Sequence, residues 1–255
     1  MRRIILSSVF LFLLFCSVFS FLPGPSLASG LKISPPPLLS THFSSGDIDG
    51  RYEASYITFE NINGYGIQRT RRKAHSDLLA ITSNIGFFYL SGDQKYENPD
   101  DGKTVEHDID YYFFLPLGIS GELQYKISEP VNLIIFGGPR FHYGHSEDET
   151  LYGGTLTSST NNDYGLGGEI GIQLGIKVGR FMVTPFASFD SIRIKSTSSD
   201  DDTEDQYFTF DSQTVGIDIL DKKNGLTLSA LVGTPEHDDN DELDDFTIIK
   251  LGWMF

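Results

Sequence analysis

From Ile109 to Ile127 the odd positions read Ile, Tyr, Phe, Leu, Leu, Ile, Gly, Leu, Tyr and Ile, while the even positions read Asp, Tyr, Phe, Pro, Gly, Ser, Glu, Gln and Lys. Side chains alternate faces along a β-strand, so this pattern predicts a strand with one apolar wall and one mostly polar or small wall. The strand is far longer than the five or six residues usual in soluble sheets. At about 3.3 Å per residue and a tilt near 40°, Phe113 to Tyr125 covers roughly 30 Å, enough to cross a bilayer. The segment Gly165 to Val178 repeats the scheme, with Leu166, Ile170, Ile172, Leu174, Ile176 and Val178 on one face. Its other face holds Gly165, Gly167, Glu169, Gly171, Gln173, Gly175 and Lys177. So many small residues on the polar side suit a narrow lumen, where opposite walls compete for space.

Alternation and turn residues together predict ten strands, at 51–60, 64–74, 78–91, 109–127, 131–144, 164–178, 180–194, 207–220, 225–234 and 245–255. Short turns fall at 75–77, 128–130, around Gly179 and at 221–224, and long polar loops at 92–108, 145–163, 195–206 and 235–244. In hydrocarbon every backbone N–H and C=O needs a partner within the protein, so spanning strands must close on themselves. The fold class expected is all-β, a closed antiparallel transmembrane β-barrel of 10 strands over residues 51–255, the first strand pairing with the last. Eight strands is the alternative, with 51–74 then a plug or periplasmic segment, because Arg69, Arg71, Arg72 and Lys73 crowd the second strand.

The remaining chain reads as processing and lead-in. Arg2 and Arg3, an apolar stretch and Ser26-Leu27-Ala28 describe a signal peptide over residues 1–28. Residues 29–50, with Pro35-Pro36-Pro37, read as a periplasmic lead-in. The single cysteine, Cys16, lies in the leader, so no disulfide or thiolate chemistry is expected in the mature chain. The chain holds 19 basic and 35 acidic residues, net −16, which argues against nucleic acid as a partner. Residues 92–108, 145–163, 195–206 and 235–245 carry 22 acids against 3 bases, so the charge gathers in the long loops.

The last ten residues, Phe246-Thr247-Ile248-Ile249-Lys250-Leu251-Gly252-Trp253-Met254-Phe255, resemble the closing strand of bacterial outer-membrane β-barrel proteins. Those end in an aromatic residue with apolar residues at alternate places before it, and Phe255, Trp253, Leu251 and Ile249 fit that pattern. The resemblance, to small porin-like barrels over residues 51–255, implies the bacterial outer membrane as location. It also implies that Trp253 and Phe255 belong to an assembly signal read by the barrel-assembly machinery. Architecture of this kind points to no particular activity.

Charged residues on the expected inward register are Asp110, Glu122, Gln124, Lys126, Arg140, His142, Glu169, Gln173, Lys177, Asp190, Asp218 and Lys250, counting the amides with them. Inward charges without bulk water must pair, which predicts a polar lumen network with Glu122, Arg140, Glu169 and Lys250 at its core. Asp200, Asp201 and Asp202 in one loop, and Asp238, Asp239 and Asp241 in another, offer hard oxygen ligands for divalent cations that would bridge to lipopolysaccharide phosphates. Surface barrel enzymes, proteases or lipid A hydrolases, resemble this chain in architecture. Here Asp47-Ile48-Asp49 and Asp108-Ile109-Asp110 form D-x-D pairs with no D-x-H, and the H-x-S pair His42-Phe43-Ser44 falls in the lead-in. The expectation is a structural or surface-interaction protein that is not an enzyme and needs no cofactor. A narrow passive channel is the alternative, and outer-membrane lipid and lipopolysaccharide are the expected surroundings.

Overall fold

The computed structural model describes residues 42–59, 61–97, 104–152, 154–198, 206–237 and 245–255. The predicted leader, residues 29–41 of the lead-in, and Asp200, Asp201, Asp202, Asp238, Asp239 and Asp241 lie outside the described residues. Ten strands follow in chain order: β1 (Ile48–Phe59), β2 (Ile62–Ala74), β3 (Leu79–Glu97), β4 (Thr104–Lys126), β5 (Val131–Tyr152), β6 (Thr155–Val178), β7 (Phe181–Ser198), β8 (Gln206–Asp221), β9 (Leu226–His237) and β10 (Phe246–Met254). Each pairs antiparallel with its neighbours, and β1 pairs with β10 to close the sheet, so the eight-strand alternative is excluded. Arg51 faces Met254 and Thr58 faces Thr247 across that seam. Phe255 continues the seam, exchanging backbone hydrogen bonds with Gly50 at 2.9 and 3.0 Å.

Turns at one end are short, and two of them use a left-handed residue that glycine adopts without strain. Gly179, with φ 61°, joins β6 to β7, and Gly225, with φ 73°, joins β8 to β9. At the other end the strands rise further than alternation predicts. The predicted loop 145–163 is instead mostly hairpin, because β5 and β6 stay paired from His145 with Asn162 up to Tyr152 with Thr155. Most of 92–108 is likewise ladder between β3 and β4. Hydrophobic alternation stops where the wall leaves lipid, but backbone pairing continues above it.

Outside, the wall is apolar around its circumference. Ile67 on β2 is 64% exposed, Ile119 on β4 54% and Leu251 on β10 61%. Ile172, Val215 and Leu228 extend the same belt over β6, β8 and β9. A continuous apolar surface of this extent is not compatible with water and matches the lipid-facing band of a membrane barrel. The register departs from expectation at one place. A bulge between Ile109 and Tyr111 shifts the phase of β4, so Ile109 is buried in the lumen and Asp110 is exposed, the reverse of the predicted arrangement.

Candidate functional site

The interior is filled in three layers. Toward the long-connection end it is apolar: Phe88, Tyr112, Phe114, Phe208, Phe210 and Phe246 are all buried there with Ile57, Ile62 and Ile248. Phe88 and Phe114 stack with centroids 5.0 Å apart, and Tyr112 stacks on Phe114 at 5.4 Å. Tyr112 Oη lies 2.7 Å from His142 Nε2, which gives the buried phenol a polar partner. The even positions of β4 read as a mostly polar or small wall, with Tyr112 and Phe114 as its two aromatic exceptions. Both lie near the outer end, where inward residues are bulky and apolar.

Below this plug lies a charged layer in three clusters. Arg51 on β1 contacts Glu53 at 2.9 Å and Asp218 on β8 at 2.8 Å. Its Nη2 also donates to Ser229 Oγ at 2.8 Å, and that hydroxyl donates to Asp218 at 2.7 Å. Lys250 on β10 joins this cluster, 3.9 Å from Glu53 and donating to Gln68 Oε1 at 3.3 Å. In the second cluster Arg72 on β2 bridges Asp49 and Glu122, the latter at 3.3 Å, and Thr82 donates to Glu122. In the third, Arg140 on β5 pairs with Glu169 on β6 and donates to Asn84 Oδ1, while Ser120 donates to Glu169. Asp190 on β7 stands opposite Glu169 in the ladder and is buried beside it. Burying charge this deep is costly unless it is paired, and Arg51, Arg72 and Arg140 each face a carboxylate.

The third layer closes the end with short turns. Phe43, from the lead-in, is buried among Ala74, Ala80, Ile134 and Phe136. Gln124 clamps it from both sides, its Oε1 accepting from Phe43 N and its Nε2 donating to Phe43 O, each at 2.9 Å. The Arg72 guanidinium lies 4.8 Å from the Phe43 ring centre. The lead-in therefore ends as a stopper inside the mouth, and the barrel begins at Ile48 rather than at residue 51.

Of the four residues expected at the core of one network, Arg140 and Glu169 meet, Glu122 belongs to Arg72, and Lys250 belongs to the Arg51 cluster. Lys126 and Lys177 were expected in the lumen but are exposed at the rim, where Lys126 pairs with Glu129 at 3.1 Å. Arg51, Glu53 and Arg72 were not anticipated. The alternation of Arg51, Glu53 and Ser55 against Tyr52, Ala54 and Tyr56 carried that information. The D-x-D pairs have structural surroundings: Asp47 accepts from Ser44 N at 2.7 Å, Asp49 pairs with Arg72, and Asp108 and Asp110 are exposed. Among the described residues no group of three His, Cys, Asp or Glu side chains could hold a metal ion. Trp253 and Phe255 face outward at the seam, Trp253 donating to Asn224 O at 2.9 Å and Phe255 stacking on Tyr52 at 5.1 Å.

No family model matches the chain, and no curated protein matches it. Solved structures similar to it include the outer membrane protease OmpT from Escherichia coli, 8% identical, with 82% of this chain and 94% of that one covered at a TM-score of 0.46. A major outer membrane protein from Thermus thermophilus is 9% identical over 82% and 100% at 0.43. The outer membrane protein OprG from Pseudomonas aeruginosa is 11% identical over 85% and 99% at 0.40. At these identities the likeness is one of general architecture, and the assignment rests on the chain's own wall. A sheet closed from β1 to β10, apolar outside and filled within, is a ten-stranded transmembrane β-barrel, the architecture that bacterial outer-membrane proteins use.

Proposed function

We propose that the protein is a closed, non-conducting barrel that holds an acidic surface at the outer face of the membrane, with a structural or surface-interaction role and no catalysis. The observation that supports this reading is the filled interior, with an aromatic plug above, paired charges at mid-height and Phe43 below. A pore needs a continuous wet path, and ten strands leave little lumen once inward side chains occupy it. The paired extensions of β3 to β6 carry Asp108, Glu147 and Glu149 outward, so a rigid sheet presents part of the acidic surface. Lipopolysaccharide, bridged by divalent cations, is the partner whose phosphates such a surface would meet.

Recording from planar bilayers containing the refolded protein tests the proposal. Silence at all voltages is expected. Reproducible single-channel steps would overturn it in favour of a narrow passive channel. A catalytic role would be revealed by peptide or lipid A hydrolysis in detergent that is lost when His145 or His142 is replaced by Ala.

A further inference from the structure

Strand β2 carries different chemistry on its two faces near the end with short turns. Arg72 points into the lumen and is paired, whereas Arg69, Arg71 and Lys73 occupy three successive outward positions and are exposed. Their neighbours on the outer wall are Tyr52, Gly50 and Ile48 of β1 and Ile85, Ser83 and Ile81 of β3, none of them charged. Among the described residues no carboxylate forms an ion pair with any of the three. Three unneutralised cations in a row are unexpected on the lipid-facing wall of a chain whose net charge is −16.

Depth resolves the conflict. The Arg69 guanidinium lies over the Tyr52 ring, 5.5 Å from its centre. Tyr52 in turn stacks on Phe255 and faces Trp253 across the seam. These rings form part of the aromatic girdle where hydrocarbon gives way to head groups. Along the strand Arg71 and Lys73 lie about 7 and 13 Å beyond Arg69, away from the membrane centre. The row therefore runs from the girdle into the head-group zone, where cations are tolerated and an anionic partner is within reach.

We propose that Arg69, Arg71 and Lys73 form a binding surface for anionic phospholipid head groups of the periplasmic leaflet. The planar guanidinium forks of Arg69 and Arg71 suit bidentate contact with phosphate oxygens, and Lys73 adds a point charge. The spacing lets the row engage phosphates of adjacent lipids. The leaflet follows from the end of the barrel concerned, which carries the short turns and Phe255 and lies opposite the acidic connections.

Trp253, the single tryptophan of the chain, faces outward two strands from Arg69 and reports on the lipid beside the row. The experiment reconstitutes the folded protein in phosphatidylcholine vesicles and titrates in brominated phosphatidylglycerol, reading quenching of Trp253 fluorescence. Wild type should favour phosphatidylglycerol over phosphatidylcholine by about fivefold for each cation engaged, on the order of a hundredfold with all three acting. The triple variant Arg69→Gln/Arg71→Gln/Lys73→Gln should show a ratio near one. Lys126→Gln/Lys177→Gln, which removes exposed charge from the same rim away from Trp253, should keep the wild-type ratio. Heat-modifiable gel mobility checks that each variant is folded, and Arg71→Gln alone, with an intermediate ratio expected, serves if the triple variant is not. No preference in wild type, an unchanged ratio in the variants, or equal loss in the rim control overturns the proposal. Displacement of the quencher by lipopolysaccharide through the same residues, as strong as that by unbrominated phosphatidylglycerol, overturns the assignment to the periplasmic leaflet.

Discussion

Replacing Arg140 by Ala removes the cation from a fully buried ion pair in the lumen. Arg140 and Glu169 are both essentially buried, and Asn84, Ser120 and Asp190 lie around them. Deleting the guanidinium leaves Glu169 and Asp190 side by side with no cation between them, while the cavity is lined by groups that cannot follow the side chain out. Breaking a buried pair from one side costs about 3–5 kcal/mol. A domain of this size shifts its midpoint by roughly 2–4 °C per kcal/mol, so the loss is roughly 6–20 °C. The assay is the temperature at which the compact band on a gel converts to the unfolded band in detergent. Arg193→Ala, which removes an exposed cation lying 5.7 Å from the Tyr207 ring centre, should cost under about 1 kcal/mol and serves as the comparison. Arg140→Met with Glu169→Gln should regain more than half of the loss, because the orphaned carboxylate is removed along with its partner. A single variant no less stable than Arg193→Ala, or a double variant worse than both singles combined, would refute the claim that this pair fills the lumen as a unit.

Other outcomes follow from the same structure. A side chain on Gly118 would overlap the Arg140 guanidinium and Asn84, so Gly118→Val should lower the unfolding midpoint by about as much as Arg140→Ala, and the two changes together should cost little more than either. Phe43→Ala should cost about 3 kcal/mol and expose residues 42–47 to protease, yet leave bilayer recordings silent because the aromatic plug still closes the outer end. His107 stands in the part of β4 that rises above the lipid belt, 2.9 Å from Thr150 Oγ1. Burial pushes its imidazole pKa down, against the opposing pull of Asp148 and Asp108. A histidine with a depressed folded pKa favours the folded state above its unfolded value of about 6.5, and that stability is lost as pH falls below it. Amide exchange at 104–108, corrected for intrinsic rates, should therefore quicken between about pH 7.5 and pH 5.5, a window that brackets that unfolded value, and His107→Gln should abolish the difference.

The strands were legible because a lipid-facing wall imposes period two on the sequence, and Leu117, Ile119, Leu251 and Ile172 are outward as that period demands. Legibility failed where that cause is absent. Residues 145–163 are polar on both faces, so nothing in their order distinguishes a loop from the paired hairpin that they form. At Ile109 to Phe114 bulky residues occupy both parities, and the bulge that reverses the phase leaves no mark in composition. The lumen was legible in kind but not in partnership. Glu122 meets Arg72 and Lys250 meets Glu53 because strand stagger sets which inward side chains share a level, and stagger is not written along a single strand. The run Arg69 to Lys73, which made β2 ambiguous, is the same alternation with cations on the outside and only Arg72 within.

Spin-label accessibility along β4 tests the central claim most directly. No cysteine occurs after Cys16, so single changes at Leu117, Gly118, Ile119, Ser120, Glu122 and Leu123 to Cys place labels one at a time in the folded barrel in vesicles. Labels at 117, 119 and 123 should collide readily with oxygen dissolved in lipid and hardly with a water-soluble nickel chelate, while labels at 118, 120 and 122 should be shielded from both. High nickel accessibility at 117, 119 and 123, or at the inward positions, would contradict an account in which this wall faces lipid and encloses a filled lumen.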